Sequence, residues 1–432
     1  MSVNIENLIN RFNINKKILE IAEDTESIIS SYFKDIDNIS IYNQAKVLSA
    51  FQKYRLSDTH FFGTTGYGYN DTGRDIIDAI YADIFGTEDA LVRHNFISGT
   101  HALSTTLFGI LRPGDTLLSA TGKPYDTLEE VIGISGDIGN GSLKDFGINY
   151  MQVDLLENGI VDYENLRLSI KEKVKIVIIQ RSCGYNDRPA LSISEIEKLI
   201  KFIKNINQNI ICLVDNCYGE FVEDKEPTEV GADLCVGSLI KNPGGGLAKT
   251  GGYVVGKKDL IKKIAYRITT PGIGKECGAS LGFNRDIIQG LFMAPHVVAE
   301  SLKGVIFTAK FFEILGFDIS PKYDEHRSDI IQSIKFGDPN KLINFCQSIQ
   351  ASSPVDSFAV PEPWDMPGYQ NQVIMAAGTF VQGASIELSA DAPIKPPYIV
   401  YIQGGMIYEY IKLAMMRAGE NLLGAGNDRV KI

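Results

Sequence analysis

A single lysine followed by a run of glycines is the part of this sequence in which residue type and spacing best suit chemistry. Lys241 follows the apolar stretch "ADLCVGSLI", and the segment "NPGGG" comes directly after it. Desolvation lowers the pKa of a lysine, and the neutral amine can form an imine with an aldehyde and act as a base. We expect the glycines to leave room for a ring or a substrate beside Lys241. A purely structural lysine is the alternative at this point.

A phosphate-binding P-loop matches the same segment poorly. That motif reads G-x-x-x-x-G-K-[ST], because its glycines let the backbone surround phosphate oxygens that the lysine also reaches. In "PGGGLAKT", Pro243 occupies the first glycine position and Ala248 precedes Lys249. The segment departs from the motif twice, which argues against nucleotide binding by this loop.

Three other polar segments follow predicted strands. Ser98, Gly99 and Thr100 lie between "RHNFI" and a predicted helix, where they could bind a phosphate or serve as a plain helix cap. Tyr125 begins a helix after "LLSATGKP" and could stack on a planar ligand or pack on the rim of the sheet. Asp215 ends the apolar run "IICLV" and could meet a cation in a ligand or cap a helix.

Short apolar runs alternate with helical segments through the middle of the chain. Runs such as "KIVIIQ" and "GGYVVG" are separated by periodic segments such as "RDIIDAIYADIF" and "SISEIEKLIKFIKN". This alternation predicts right-handed βαβ crossovers and a mainly parallel sheet with helices on both faces, an α/β fold. Because ligands bind at the carboxyl ends of such strands, we expect the four polar segments to lie together.

The length of 432 residues predicts more than one domain. We predict an N-terminal helical segment and loop (residues 1–70), a large central domain that carries the site (71–300), and a smaller α+β C-terminal domain (301–432).

Composition and charge indicate a protein that binds neither nucleic acid nor an anionic membrane. The 42 basic residues are outnumbered by 53 acidic ones, giving a net charge of −11. The stretch "MSVNIENLINRFNINKK" lacks the apolar core of a signal peptide, and no apolar run approaches the roughly 18 residues of a membrane span. We therefore predict a cytoplasmic location.

The cysteines and histidines do not match a metal site. The six cysteines form no CxxC pair, and the five histidines show neither HxxxH nor HExxH spacing. We predict buried free thiols and no bound metal.

Taken together, the four polar segments match the needs of one cofactor, pyridoxal 5′-phosphate. Its phosphate needs N–H donors, its pyridine face an aromatic ring, its ring nitrogen a carboxylate, and its aldehyde a lysine. The helix start at Ser98, followed by Tyr125, Asp215 and Lys241, supplies these groups in that order. We predict Lys241, Asp215 and Tyr125 as the catalytic residues.

The sequence also resembles the fold-type I pyridoxal-phosphate enzymes, specifically the methionine γ-lyase-like or aluminium-resistance family, which is related to cystathionine β-lyase. The resemblance covers most of the chain from about residue 55 onward. It implies a carbon–sulfur lyase that acts on a sulfur-containing amino acid by β- or γ-elimination through a Schiff base and a quinonoid. It also implies a homotetramer, a dimer of dimers with active sites shared between chains. The motifs that carry it include "SGTHALSTTLFGILRPGDTLLSATGKPYDTLEEVIG", "SLIKNPGGGLAKTGGYVVG", "TPGIGKECGAS" and "VIMAAGTFVQGASIELSADAPIKPPYIVYIQGG".

The resemblance assigns roles to individual residues. It implies that Lys241 forms the Schiff base, that Asp215 pairs with the ring nitrogen, and that Tyr125 stacks on the ring. A tyrosine of the loop "GYGYND" would reach the phosphate of a neighbouring subunit. The further cofactor-binding residues that it implies are Ser98, Gly99, Thr100, Cys217, Tyr218, Ser238, and Tyr67 or Tyr69.

One position departs from the family pattern. The family carries an arginine before "PPY", where it would bind the substrate carboxylate, and this chain has Lys395. Arginine grips a carboxylate through two parallel hydrogen bonds, whereas lysine offers a single point charge. Lys395 is the predicted substrate-binding residue.

Two other functions fit the same cofactor residues. Aminotransferases use the same parts, since the cofactor set does not by itself fix the reaction. A catalytically idle pyridoxal-phosphate-binding protein linked to metal resistance is the second alternative. Release of a thiol and ammonia from an amino acid would distinguish a lyase from both.

Overall fold

The apolar runs predicted as strands form a seven-stranded sheet in the computed structural model, which describes residues 11–12, 14–157, 159–186, 188–366, 369 and 371–424. The strand order is β1-β7-β6-β5-β4-β2-β3, and β7 alone runs antiparallel to its neighbours. The predicted mainly parallel α/β fold is confirmed. The strands are β1 (Asp89–Arg93), β2 (Thr116–Ser119), β3 (Asn149–Gln152), β4 (Val174–Gln180), β5 (Ile211–Asp215), β6 (Leu234–Ser238) and β7 (Gly252–Gly256).

Alternating side chains of the central strands build two apolar layers, one on each face of this sheet. Ile178 of β4 packs with one cluster and its neighbour Ile179 with the other, as expected for a strand buried on both faces. The first layer includes apolar residues of α3, α4 and α7, and the second includes those of α5 and α6. The helices around this sheet are α2 (Thr72–Ile84), α3 (Gly99–Ile110), α4 (Asp126–Ile132), α5 (Tyr163–Ser169), α6 (Ile193–Ile206) and α7 (Lys258–Ile268).

The chain divides into two compact units. One comprises Ile41–Pro295, and the other comprises the described residues up to Ser40 together with those from His296 onward. The helices α1 (Lys16–Lys53) and α8 (Asn284–Ile314) contribute residues to both units. The domain boundaries placed from the sequence after residues 70 and 300 stay a prediction.

The second unit contains a five-stranded antiparallel sheet with the order β10-β11-β12-β9-β8. Its helix α9 contacts three of these strands and also α10. Its elements are β8 (Asp318–Ser320), β9 (Ile331–Lys335), α9 (Pro339–Ser352), β10 (Val373–Ala376), β11 (Ser389–Pro393), β12 (Ile399–Gln403) and α10 (Tyr408–Gly424).

Helix α8 is long and apolar enough to cross a membrane. Its most apolar 18-residue window is 72% buried inside the protein. Among the described residues no other helix passes the same test of length and composition. Burial of this extent is typical of a core helix.

Two of the glycines that follow Lys241, Gly244 and Gly245, are required by close packing of the backbone. A Cβ atom on Gly244 would overlap the carbonyl oxygen of Leu239, and one on Gly245 would overlap the carbonyl oxygen of Gly290 in α8. Gly245 also has a φ of 53°, in the left-handed region that favours glycine. The expectation that these glycines leave room for a ring beside Lys241 is therefore wrong, because their missing side chains let the lysine loop lie against α8.

This contact predicts the effect of a methyl group on the other side of the interface. In Gly290→Ala the new Cβ would overlap the carbonyl oxygen of Gly244. We expect the free energy of unfolding to fall by about 1–3 kcal/mol, because overpacking forces the backbone to shift. Urea denaturation followed by circular dichroism measures the change.

Gly424→Ala is the matched control, because among the described residues no atom outside its own helical turn lies within 4 Å of a Cβ at that position. We expect its free energy of unfolding to stay within about 0.5 kcal/mol of the parent value. Equal midpoints for the Gly290 variant and the parent would contradict the proposed contact.

Candidate active site

A cavity of about 180 Å³ lies at the carboxyl ends of β4, β5 and β6. The sequence-based expectation that the polar strand ends lie together is confirmed. The predicted residues that line the cavity are Ser98, Gly99, Thr100, Tyr125, Asp215, Cys217, Tyr218, Ser238 and Lys241.

The N-terminus of α3 forms one wall of this cavity. Ser98 is the N-cap residue, and its hydroxyl accepts a hydrogen bond of 3.0 Å from the backbone N–H of His101. Gly99 packs closely, since a Cβ there would lie 3.5 Å from Cys217 Sγ. The Thr100 hydroxyl lies 2.7 Å from that of Thr127. Ser98 is thus a helix cap, and the N–H groups of the first turn also favour an anion at this wall.

Tyr125 stands directly before α4 and forms another wall. Its side chain makes no capping hydrogen bond to the helix. The ring packs against Gly184, where a Cβ would lie 3.2 Å from Tyr125 Cδ2, and its centroid is 5.8 Å from that of Tyr185. The ring is therefore held by packing in a position that lines the cavity.

Asp215 and Gln180 end adjacent strands and are paired in register. The Asp215 carboxylate accepts a hydrogen bond of 3.2 Å from the N–H of Cys217. Gln180 donates from Nε2 to the carbonyl oxygen of Ser182, while its buried Oε1 has no hydrogen-bond partner among the described residues. An unpaired buried acceptor at the cavity wall is the kind of group that a ligand donor satisfies.

Gln180 was missed in the sequence because it was included in the apolar run "KIVIIQ". The rule that singled out Asp215, a polar residue at the end of a buried strand, applies equally to Gln180. The other lining residues that the sequence analysis missed are Leu103, Thr127, Leu128, Ser182, Gly184 and Ile240.

The turn after Asp215 is strained and firmly held. Tyr218 has a φ of 74° and Phe221 a φ of 61°, conformations that cost of order 1–3 kcal/mol each in residues with side chains. The fully buried Arg181 donates to the side chain of Asn216 and to the carbonyl oxygen of Gly219, both at 2.9 Å. Its other terminal nitrogen donates to Glu223 at 2.7 Å. The strain is thus maintained by the ion pair between buried Arg181 and partly buried Glu223, and by the hydrogen bonds of Arg181.

Lys241 projects into the cavity over the ring of Tyr218, with 3.9 Å between Nζ and the ring centroid. Burial acts against the charged amine, but the electrostatic effects of Cys217, Tyr218, Asp215 and Glu220 outweigh it and raise the pKa of Lys241. Desolvation lowers this pKa as expected, but the expected net lowering is wrong, because acidic groups surround the amine. A raised pKa makes the amine a stronger base once it has lost its proton.

Cys217 lies beside Lys241 as a buried thiol. Burial raises its pKa well above the ordinary value, and the nearby Asp215 carboxylate acts in the same direction. The thiolate is the nucleophilic form of cysteine. Cys217 therefore serves as a neutral packing group in this wall.

Tyr67 and Tyr69 do not line this cavity. They lie in the segment before α2 with 76% and 60% of their surfaces exposed, and their ring centroids are 5.7 Å apart. The loop itself is anchored, since Arg74 donates to the carbonyl oxygens of Gly68 and Gly278 at 2.8 and 3.0 Å. The backbone that carries these two exposed rings is thus held by hydrogen bonds from Arg74.

Lys395 belongs to the second compact unit and is exposed. It lies in the turn between β11 and β12, where its N–H donates to Pro393 and its carbonyl oxygen accepts from Tyr398. Its role in substrate binding stays a prediction.

These groups suit a ligand of one particular kind. An anion fits the start of α3, a planar ring fits beside Tyr125, and a ring atom that carries a proton fits beside Asp215. An aldehyde within reach of Lys241 would complete the set.

Comparisons with known proteins identify relatives of this chain. A family model described as methionine gamma-lyase matches residues 18–423. A protein of Bacillus subtilis (strain 168), named uncharacterized protein YnbB, is 56% identical over 402 residues, which cover 93% of this chain and 96% of that protein.

Two solved structures extend the comparison. The crystal structure of a carbon-sulfur lyase involved in aluminum resistance from Clostridium novyi NT has a TM-score of 0.93 and 54% identity, and covers 97% of this chain and 99% of its own. That of the pyridoxal-5′-phosphate-dependent protein YhfS from Escherichia coli has a TM-score of 0.60 and 17% identity, with coverages of 89% and 96%. The second likeness concerns the fold alone, and it confirms the fold type predicted from the sequence.

Proposed function

Because this chain belongs to the methionine γ-lyase family, as its motifs predicted, we propose that it is a pyridoxal-phosphate-dependent carbon–sulfur lyase. Its substrate is a sulfur-containing amino acid, from which it removes the sulfur group by β- or γ-elimination. The observation that carries the proposal is the placement of Lys241, Asp215 and Tyr125 around one cavity at the carboxyl ends of the strands.

Pyridoxal 5′-phosphate is the cofactor of this family, and the cavity residues fit it. Lys241 would hold its aldehyde carbon, Asp215 its ring nitrogen, and Tyr125 one ring face. Ser98, Gly99, Thr100 and Ser238 would hold its phosphate, and Gln180 Oε1 offers a further acceptor that no described residue satisfies. When bound, the cofactor supplies an electron sink that stabilises negative charge at the α carbon of the substrate.

The side chains of the cavity supply proton transfer and orientation. The Lys241 amine removes the α proton of the substrate as general base, which it can do only in its neutral form. The Asp215 carboxylate would keep the ring nitrogen of the cofactor protonated, because a cation beside a carboxylate retains its charge. The apolar walls formed by Leu103, Leu128 and Ile240 exclude water.

The first prediction concerns Lys241. Borohydride reduction of the cofactor-loaded protein followed by peptide mapping should place the pyridoxyl label on Lys241. The purified protein should also release thiol and ammonia from cysteine, cystathionine or methionine. Lys241→Ala should abolish both the label and the release, because Lys241 is the only lysine among the described residues that line the cavity.

Lys249→Ala is the matched control. Lys249 is 67% exposed and pairs with Asp286 at 2.8 Å, so both label and turnover should persist. A label on Lys249 or Lys123 would overturn the assignment of Lys241. Amino-group transfer without thiol release would instead support an aminotransferase, and a labelled but inactive protein would support an idle binding protein.

The second prediction concerns Asp215. Asp215→Asn keeps the shape of the side chain and removes its charge. We therefore expect the ring nitrogen of the bound cofactor to lose its proton. A hydrogen bond to a charged group contributes about 1.5–3 kcal/mol, which corresponds to elimination slowed by roughly 10- to 100-fold. Steady-state thiol release measures the loss, and labelling of Lys241 should persist.

Asp224→Asn serves as the control, because Asp224 is an exposed residue of the same loop region. It should turn over at the parent rate. Parent-like turnover in Asp215→Asn would mean that Asp215 serves only to hold the turn at Cys217.

The third prediction concerns assembly. We infer a homotetramer in which the loop bearing Tyr67 and Tyr69 completes the site of a neighbouring subunit, because this anchored loop exposes two aromatic rings outside its own cavity. Light scattering should report four chains. Mixing a Tyr67→Phe/Tyr69→Phe double variant with Lys241→Ala should restore part of the turnover that each lacks alone.

A mixture that stays inactive, with both variants assembled, would show that the loop acts in its own subunit or not at all. We also infer a cytoplasmic location, which the acidic balance of charge and the burial of α8 support.

A further inference from the structure

A second carboxyl group lies behind Lys241, away from the cavity lining. Glu220 is fully buried, and its Oε1 accepts a hydrogen bond of 2.7 Å from the hydroxyl of Tyr253 in β7. Its Oε2 has no hydrogen-bond partner among the described residues. Asn242, the residue after Lys241, donates to the carbonyl oxygen of Glu220 at 3.0 Å. The Glu220 backbone and the lysine loop are therefore directly joined.

The surrounding backbone is shaped to admit this carboxyl group. A Cβ on Gly237 would lie 2.5 Å from Glu220 Oε1 and 2.5 Å from Tyr253 Cε1, so no larger residue fits in β6 at that position. The strained residues Tyr218 and Phe221 flank Glu220 in the turn. Strain of this kind persists only where the surroundings enforce it.

A nearby carboxyl group shows how a buried carboxylate is ordinarily stabilised by donors and a cation. Glu226 is also buried, but Asn216 and Phe221 donate to its two oxygens at 2.8 Å and Arg181 lies 4.0 Å away. Among the described residues, the donors to the Glu220 carboxyl are neutral, namely the Tyr253 hydroxyl and the backbone N–H of Glu220 itself. A buried carboxylate with so little compensation is costly, so the group is expected to hold its proton.

The groups that face Glu220 make its charge depend on pH. The pKa of Glu220 is raised to about 8. Burial and the charge of Glu226 raise it, whereas the hydrogen bonds from Tyr253 and from its own backbone N–H, together with the charge of Lys241, lower it. The other titratable groups that its charge reaches are Tyr81 of α2, Cys217 and Cys235. Lys241 is the cation in this set, and the charge of Glu220 in turn raises its pKa.

We propose that Glu220 is a positioning residue that sets the charge of the Lys241 amine from behind the cavity. This proposal rests on the assignment of Lys241 as the cofactor-binding base. With its proton in place, the Glu220 carboxyl is neutral and leaves the amine free to accept a proton from substrate. Once the proton is lost to solvent, the carboxylate stabilises the ammonium form, and the amine no longer serves as base.

The experiment compares the cofactor-loaded parent with Glu220→Gln, which keeps the shape and the hydrogen bond from Tyr253. We expect the visible absorption of the bound cofactor in the parent to show a titration step near pH 8. We expect kcat/KM of the parent to fall about tenfold per pH unit above it. The glutamine variant should lose both the step and the fall.

Two further variants make the result specific. Glu226→Gln removes the neighbouring charge that raises the pKa of Glu220, so its titration step should move to lower pH. Tyr253→Phe removes the hydrogen bond that lowers the pKa of Glu220, so its step should move to higher pH. The phenylalanine variant keeps the proposal testable if Glu220→Gln does not fold.

The outcomes separate this proposal from the assignment of the active site. A Glu220→Gln protein that titrates as the parent does, or a Tyr253→Phe protein with an unmoved step, would overturn the role of Glu220 alone. A parent protein that gains no visible absorption with the cofactor, or carries the pyridoxyl label elsewhere, would overturn the proposed function first.

Discussion

The buried charge of Arg181 is the constraint on which the geometry of the candidate active site depends. A guanidinium without exposure to water is tolerated only when ion pairs and hydrogen bonds surround it, and Glu223, Asn216 and the Gly219 carbonyl oxygen provide these. The bonds tie the end of β4 to the turn that follows β5. That turn carries Tyr218 in a left-handed conformation that an unsupported backbone would leave. The turn that carries Tyr218 into the cavity wall is thus held by a charge that does not itself line the cavity.

The lysine amine in this cavity is governed by the acidic groups around it more than by its removal from water. Burial alone would have lowered the pKa of Lys241, as a single strand-end lysine suggests. The carboxylate at Asp215 and the titratable groups Cys217, Tyr218 and Glu220 reverse that effect. Since raised pKa values keep the protons of Cys217 and Glu220 in place at neutral pH, the Asp215 carboxylate is the anion beside the amine. The base strength of the amine is consequently a property of the whole pocket.

The sequence predicted the sheet and nine of the residues that line the cavity, because polar residues at the ends of apolar runs stand out by type alone. Asp215 and Lys241 are of this kind. The role of the glycines could not be predicted, since the atoms that Gly245 must avoid belong to Gly290, far along the chain. The direction of the lysine pKa depends on side chains brought close by folding, and Glu220 is one of them. The local sequence pattern therefore identifies the polar residues of the cavity, whereas tertiary contacts determine the packing of the glycines and the pKa of Lys241.

The parallel arrangement of the sheet also has a consequence for how the protein reaches its native state. Strands β2 and β4 pair Leu117 with Ile176, and β4 and β5 pair Ile178 with Leu213, so neighbours in the sheet are distant in the chain. Each such pairing closes a long loop, and the loss of chain entropy comes before the favourable contacts have formed. Folding is therefore slow. The cavity exists only after these strands have assembled. A ligand that recognises the finished cavity can therefore stabilise the folded chain by mass action, but it cannot guide the early steps of folding.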